Sequence, residues 1–160
     1  MSMRFRILLF WGLLFVTEWV QAQLPVGTQA PPIRLSDVSG KTITLESLSG
    51  QWVLIDFWAS WCGPCRLSNR TARKFYEDWK TKGLEILGVS LDANRADWLK
   101  AIKQDKLQGL QVNSPAQWDS PLVLSWQVDR IPTTYLVDPN GVIQAVNPPL
   151  RAIASLLYRK

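Results

Sequence analysis

Residues 52–66, WVLIDFWASWCGPCR, constrain the fold more than any other stretch. Trp52-Val53-Leu54-Ile55 is apolar without alternation, and Phe57-Trp58 continues the run after Asp56. Such a run reads as a strand covered on both faces, which implies a sheet with helices packed on either side. The strand leads directly into Trp61-Cys62-Gly63-Pro64-Cys65, which holds the chain's two cysteines. A buried strand ending in Cys-x-x-Cys and turning into a helix is suited to thiol–disulfide chemistry.

The flanking sequence extends this into a layered α/β fold. Ile33–Ser36 and Thr42–Thr44 alternate apolar and polar around Ser39-Gly40, which predicts a small N-terminal hairpin. Glu46-Ser47-Leu48 predicts a single helical turn. Ala72, Phe75, Tyr76 and Trp79 fall at i, i+3, i+4 and i+7, predicting one helix from the cysteines to Gly83. Leu84–Leu91 reads as a second buried strand. Asp92 or Asn94 can cap a helix over 95–106, with Trp98, Leu99 and Ile102 inward. That alternation predicts a βαβ unit and parallel central strands. Residues 107–120 suggest loop with a short strand, and Ser120-Pro121 opens a short helix to Trp126. Asp138-Pro139-Asn140-Gly141 joins Thr134–Val137 to Val142–Val146 as a hairpin, and Leu150, Ile153, Leu156 and Leu157 mark a last helix.

Residues 1–22 read as an export signal: Arg4 and Arg6, the apolar run Ile7–Val16, then Val20-Gln21-Ala22. A membrane anchor over residues 7–20 is the alternative, but Glu18 interrupts a run already short of the ~20 residues needed to span. Cleavage after Ala22 leaves residues 23–160 as one domain in an oxidising, periplasmic compartment. It removes two of the 18 basic and one of the 13 acidic residues, for a net charge of +4. The charges are interspersed along the helices, which argues for a solvated surface and against nucleic-acid binding.

The two cysteines read as chemistry. A disulfide between Cys62 and Cys65 closes too small a loop to stabilise much. A zinc site needs about four ligands, and the chain has no histidine and no third cysteine, so no metal is expected. With a helix starting near Gly63, Cys62 sits at its N-terminus and Cys65 one turn in. Pro64 suits the first helical turn. Backbone N–H groups and the helix dipole would stabilise a Cys62 thiolate, lowering its pKa from about 8.5 into the range of about 3.5–7.5. Cys62 would attack a target disulfide and Cys65 would resolve the mixed disulfide. With no histidine to take the Cys65 proton, Asp56 is the candidate relay, because an apolar strand raises a carboxyl's pKa. A solvated strand-end carboxylate is the blander alternative.

DFWASWCGPC, GLEILGVSLD and IPTTYLVDPNG together resemble the thioredoxin superfamily. Within it they resemble the exported TlpA/ResA-like thiol–disulfide oxidoreductases, related to AhpC/TSA proteins, from about Pro31 to Val146. The resemblance implies a thioredoxin-like α/β fold: a central mixed β-sheet flanked by helices, with the N-terminal β-hairpin as an extension. It implies a cis Ile131–Pro132 bond packed against the Cys62–Cys65 pair, where the alternative is an ordinary trans turn proline. Trp61, Gly63, Pro64, Ile131 and Pro132 would then bind substrate, with the Ile131 backbone pairing an extended segment. It implies no cofactor beyond the Cys62/Cys65 disulfide, protein disulfides as substrates, a membrane thiol–disulfide electron donor, and a link to cytochrome c maturation. A monomer is expected. Residues 98–127 stand where this branch carries an insert.

Two departures stand out. Ser68-Asn69-Arg70 replaces an acidic residue and proline common after the second cysteine, leaving Asp56 as the acidic group. Asn147-Pro148-Pro149 replaces a glycine-bearing loop. Gly-Pro between the cysteines resembles reducing members, so reduction of protein disulfides is the expected direction. Two alternatives are a thiol peroxidase and a non-catalytic binding module. The peroxidase motif would need Pro and Thr where Ile55 and Ala59 stand.

Overall fold

Seven strands and five helices are arranged around the run that begins at Trp52, in a computed structural model that describes residues 23–157. The expected signal at 1–22 lies outside the described residues. No helix among the described residues is long and apolar enough to cross a membrane.

The central strand is β3 (Trp52–Trp58). β4 (Leu84–Ser90) pairs with it in parallel, and β5 (Leu110–Asn113) pairs in parallel with β4. On the other side β6 (Thr133–Val137) runs antiparallel to β3, and β7 (Ile143–Val146) antiparallel to β6. The order β5-β4-β3-β6-β7 is the expected mixed sheet. The Asp138–Gly141 turn closes β6 onto β7: Asp138 Oδ1 accepts from the N–H groups of Asn140 and Val142, and Gly141 takes the positive φ of 82° that the turn requires.

Alternation along β3 divides the core in two. Val53, Ile55 and Phe57 face a cluster with Leu87, Val89, Val112 and Tyr135, closed by Trp98 and Ala101 of α3 (Arg95–Asp105) and Val123 of α4 (Pro121–Ser125). Leu54 faces the opposite cluster, with Ile86 and Leu136 beneath Ala72 of α1 (Gly63–Ala72), Tyr76 and Trp79 of α2 (Tyr76–Thr81), and Ile153 of α5 (Leu150–Leu156). Helices on both faces explain why β3 lacks a polar alternation.

The predicted single helix after the cysteines is two. Lys74 N–H bonds to Thr71 O, Phe75 N–H to Ala72 O and Tyr76 N–H to Arg73 O, an overwound i→i−3 turn between α1 and α2. No Gly or Pro marks this break. Ala72, Tyr76 and Trp79 still reach the same core across it, which is why the periodicity looked continuous. In α3 the buried residues are Trp98, Ala101 and Asp105; Leu99 and Ile102 are only half-buried.

The N-terminal segment covers both sheet edges, which would otherwise expose unpaired backbone groups. Gly27 and Ala30 N–H groups bond to Ile143 and Gly141 carbonyls, and Ile143 N–H bonds back to Thr28 O, along β7. The predicted hairpin, β1 (Arg34–Ser36) with β2 (Thr42–Thr44), reaches β5 at the other edge through an Asp37–Val112 bridge. Residues 98–127, the place of the expected insert, hold most of α3, then β5 and α4.

Candidate active site

β3 ends at Trp58, and the chain crosses Ala59-Ser60-Trp61 to place Cys62 as the N-cap of α1, in extended conformation. Pro64 lies in the first turn, where a missing N–H is tolerated. Cys62 and Cys65 form a disulfide with Cα atoms 5.3 Å apart. The Cys65 N–H points at the Cys62 sulfur, 3.2 Å away. Cys62 is 7% exposed and Cys65 fully buried, while Trp61, Gly63 and Pro64 are exposed around them. An outer sulfur at a helix N-terminus with an inner one behind it is the geometry that separates attacking from resolving cysteine.

The Ile131–Pro132 bond is cis, as the resemblance implied. The last register pair of β3 with β6 is Phe57 with Thr133, so Pro132 and Ile131 continue beside the end of β3, where the cysteine loop begins. Ile131 packs against the cluster that contains Cys62 and Cys65. This loop is held from below. Tyr135 Oη donates to Trp126 O at 2.8 Å, Thr133 Oγ1 donates to Arg130 O at 2.8 Å, and the Phe57, Trp126 and Tyr135 rings pack together, with centroids 5.1–6.3 Å apart.

Asp56 lies two residues before the strand end, 8% exposed, on the sheet face that α1 covers. Burial pushes its carboxyl up from the ordinary carboxylate range to about 7, while the Asn69 side chain favours the charged form. The solvated strand-end alternative does not describe it. Asn69, within the Ser68-Asn69-Arg70 stretch that lacks the usual acidic residue and proline, lies one helical turn beyond Cys65 on α1 and lines the same small cavity as Asp56.

Three further groups shape the site. The buried Asp92 carboxylate accepts from the Ser60 N–H and hydroxyl and from Ser90 Oγ, and Asn113 Nδ2 donates to Asp92 O. Asn94, whose side chain accepts from Ala96 N–H, is the α3 cap. Arg66, next to Cys65, donates to Ser60 O and pairs with Asp105 at the end of α3. Arg70 and Arg73 reach the same residue, through its carboxylate and its carbonyl. Burial works to raise the Asp105 pKa, but Arg66 and Arg70 outweigh it and hold the carboxyl below its ordinary value. The visible signal for this clamp was the i, i+4, i+7 spacing of Arg66, Arg70 and Arg73.

Residues 26–146 match the AhpC/TSA family. The thiol-disulfide oxidoreductase ResA of Oceanobacillus iheyensis is 30% identical over 127 residues, covering 76% of this chain and 64% of that relative's length. ResA of Bacillus thuringiensis (strain Al Hakam) is 31% identical over 122 residues, covering 76% of this chain and 68% of the relative. The chain thus spans about two thirds of these relatives' length. Among solved structures, the thioredoxin domain of a thiol-disulfide oxidoreductase from Bacteroides vulgatus superposes with a TM-score of 0.79 at 33% identity, over 84% of this chain and 99% of that one. With its cysteine pair at the head of α1 and a cis-proline beside it, the chain belongs to the AhpC/TSA family and has the thioredoxin-like fold of its thiol–disulfide oxidoreductase relatives.

Proposed function

We propose that the protein is an exported thiol–disulfide oxidoreductase that reduces protein disulfides. The observation that carries this reading is the pairing of a Cys62 N-cap sulfur, faced by the Cys65 N–H, with a fully buried Cys65 behind it.

In the reduced protein, the helix N-terminus favours Cys62 as thiolate. Cys62 Sγ attacks one sulfur of a substrate disulfide; the substrate S–S bond breaks, a mixed disulfide forms and one substrate thiolate leaves. Cys65 then gives its proton to Asp56, and its thiolate attacks Cys62 Sγ. The Cys62–Cys65 bond forms, the mixed disulfide breaks, and the second substrate sulfur departs. Two electrons have moved from the protein to the substrate, and the proton on Asp56 returns to solvent. Trp61, Gly63 and Pro64 offer the contact surface, and the Ile131 backbone beside cis-Pro132 offers an edge for an extended substrate segment.

Turnover in an oxidising compartment requires re-reduction of the Cys62–Cys65 disulfide. A membrane thiol–disulfide carrier as donor, a monomeric state, export through residues 1–22 and a contribution to cytochrome c maturation complete the proposal. A peroxidase reading gains no support from the site: Ile55 and Ala59, where that motif needs Pro and Thr, are buried apolar residues.

A Cys65→Ser variant tests the reading. Incubated with disulfide-bonded insulin, it should stall as a mixed disulfide through Cys62, while Cys62→Ser forms none. Absence of any adduct with Cys65→Ser would refute it.

A further inference from the structure

The row of residues crossing the sheet at Asp56 is unusual. The registers pair Asp56 with Gly88 of β4, Gly88 with Gln111 of β5, and Asp56 with Thr134 of β6, so their side chains share the face under α1. Gly88 has no side chain, and Gln111 fills that space. A Cβ at Gly88 would lie 2.2 Å from Gln111 Oε1, and its three nearest neighbours are all Gln111 side-chain atoms. Strands are spaced about 4.8 Å apart, so an atom over Gly88 is within one water's reach of the Asp56 carboxyl.

Gln111 is 8% exposed. Its Nε2 is committed to Gln108 O at 3.1 Å, which leaves Oε1 as the free end of the amide. That oxygen is buried with no hydrogen-bond partner among the described residues. A buried acceptor left unmet is costly, so a donor or a water at this point is favoured. Asp56 and Gln111 line one small cavity of about 30 Å³, enough for about one or two waters. Asn69 of α1, Arg73 just past its end, Thr134 of β6 and Gln108 also face it, while β4 and α5 contribute Ile86 and Leu150. Arg73 is the one ionisable side chain besides Asp56 among these lining residues. Its guanidinium offers only N–H donors, so it supplies no acceptor for the Asp56 O–H.

We propose that Gln111 is the positioning residue for the protonated Asp56 carboxyl. Its amide oxygen accepts the Asp56 O–H, directly or across one water in the cavity, and so sets how readily Asp56 takes the Cys65 proton. The inference rests on Asp56 being the relay. It gives a chemical reason for Gly88: a side chain there would push the acceptor away. The carboxyl's elevation to about 7 agrees with an environment that favours the neutral form.

The test is the Asp56 titration in the oxidised protein, followed by carboxyl infrared or carbon NMR signals and assigned by their loss in Asp56→Asn. Gln111→Ala removes the acceptor and leaves room for water; Gly88→Ala displaces it while Gln111 stays in the chain. Each should lower the Asp56 midpoint by about half to one pH unit, the worth of one hydrogen bond. Gln111→Glu should raise it, because two neighbouring carboxylates cannot both ionise easily. A midpoint unmoved or raised in both alanine variants overturns the role of Gln111. The relay itself fails separately, if Asp56→Asn resolves the mixed disulfide as fast as the native protein.

Discussion

The Asp92 carboxylate accepts both the backbone N–H of Ser60, at 2.9 Å, and its hydroxyl, at 2.6 Å. Arg66 grips the same residue from the other side, through Ser60 O. The loop that presents Trp61 and Cys62 is therefore fixed by a buried carboxylate behind it and by the first turn of α1.

Removing that carboxylate should be costly. Asp92→Ala strands the Ser60 and Ser90 donors in a buried setting, where unmet partners of a charged group cost about 2–4 kcal/mol. Ser60→Ala removes only the hydroxyl and should cost about 1 kcal/mol. Urea unfolding of both variants measures the difference; equal midpoints for all three proteins would show that the contact contributes nothing.

Asp56 should make the protein less stable as pH rises. Its folded pKa, about 7, lies above the ordinary 3.8, so between these values the native state binds more protons than the unfolded chain. Stability then falls from about pH 4 to pH 7 and levels off above it. The full difference is on the order of 4 kcal/mol. Asp56→Asn should remove this slope, matching the native protein near pH 4 and exceeding it at pH 8. Chemical denaturation at the two pH values checks this, and parallel pH profiles for the two proteins would contradict it. The same variant should slow mixed-disulfide resolution.

Asp105 behaves in the opposite sense. Its folded pKa is depressed, so its contribution is present above about pH 4 and is lost as pH falls through the folded value. Asp105→Asn should destabilise the protein by about 2–3 kcal/mol at pH 7, because Arg66 and Arg70 lose a buried partner. Thermal melts should show that gap closing below pH 4; a gap that persists there would mean that packing, not charge, is lost.

The sequence made the frame of the site legible and hid its supports. β3 and β4 were visible because apolar runs without alternation need cover on both faces. Cys62, Cys65 and Asp56 were visible because each is chemically odd where it stands. The α1–α2 break was not, since three i→i−3 bonds turn the chain without a Gly or Pro and keep Ala72, Tyr76 and Trp79 facing one core. Asp92 looked like a helix cap because a carboxylate just before a helix usually is one; its partners Ser60 and Asn113 lie 32 and 21 residues away. Gln111 carried no local signal at all. Its meaning depends on Gly88 beside it in the sheet.

Cys62 should also react as a low-pKa thiol. In the reduced protein, the pH midpoint of its alkylation by iodoacetamide should fall below the ~8.5 of a free cysteine, and buried Cys65 should react far more slowly. A midpoint at or above that value would mean that the α1 N-terminus does not stabilise the thiolate.

The direction of electron flow is decided by the reduction potential of the Cys62–Cys65 pair, measured by equilibration against a dithiol buffer of known potential. A reductant of protein disulfides should lie near about −270 mV. A value near about −120 mV, that of a strong oxidant, would contradict the reading of this protein as a reductase.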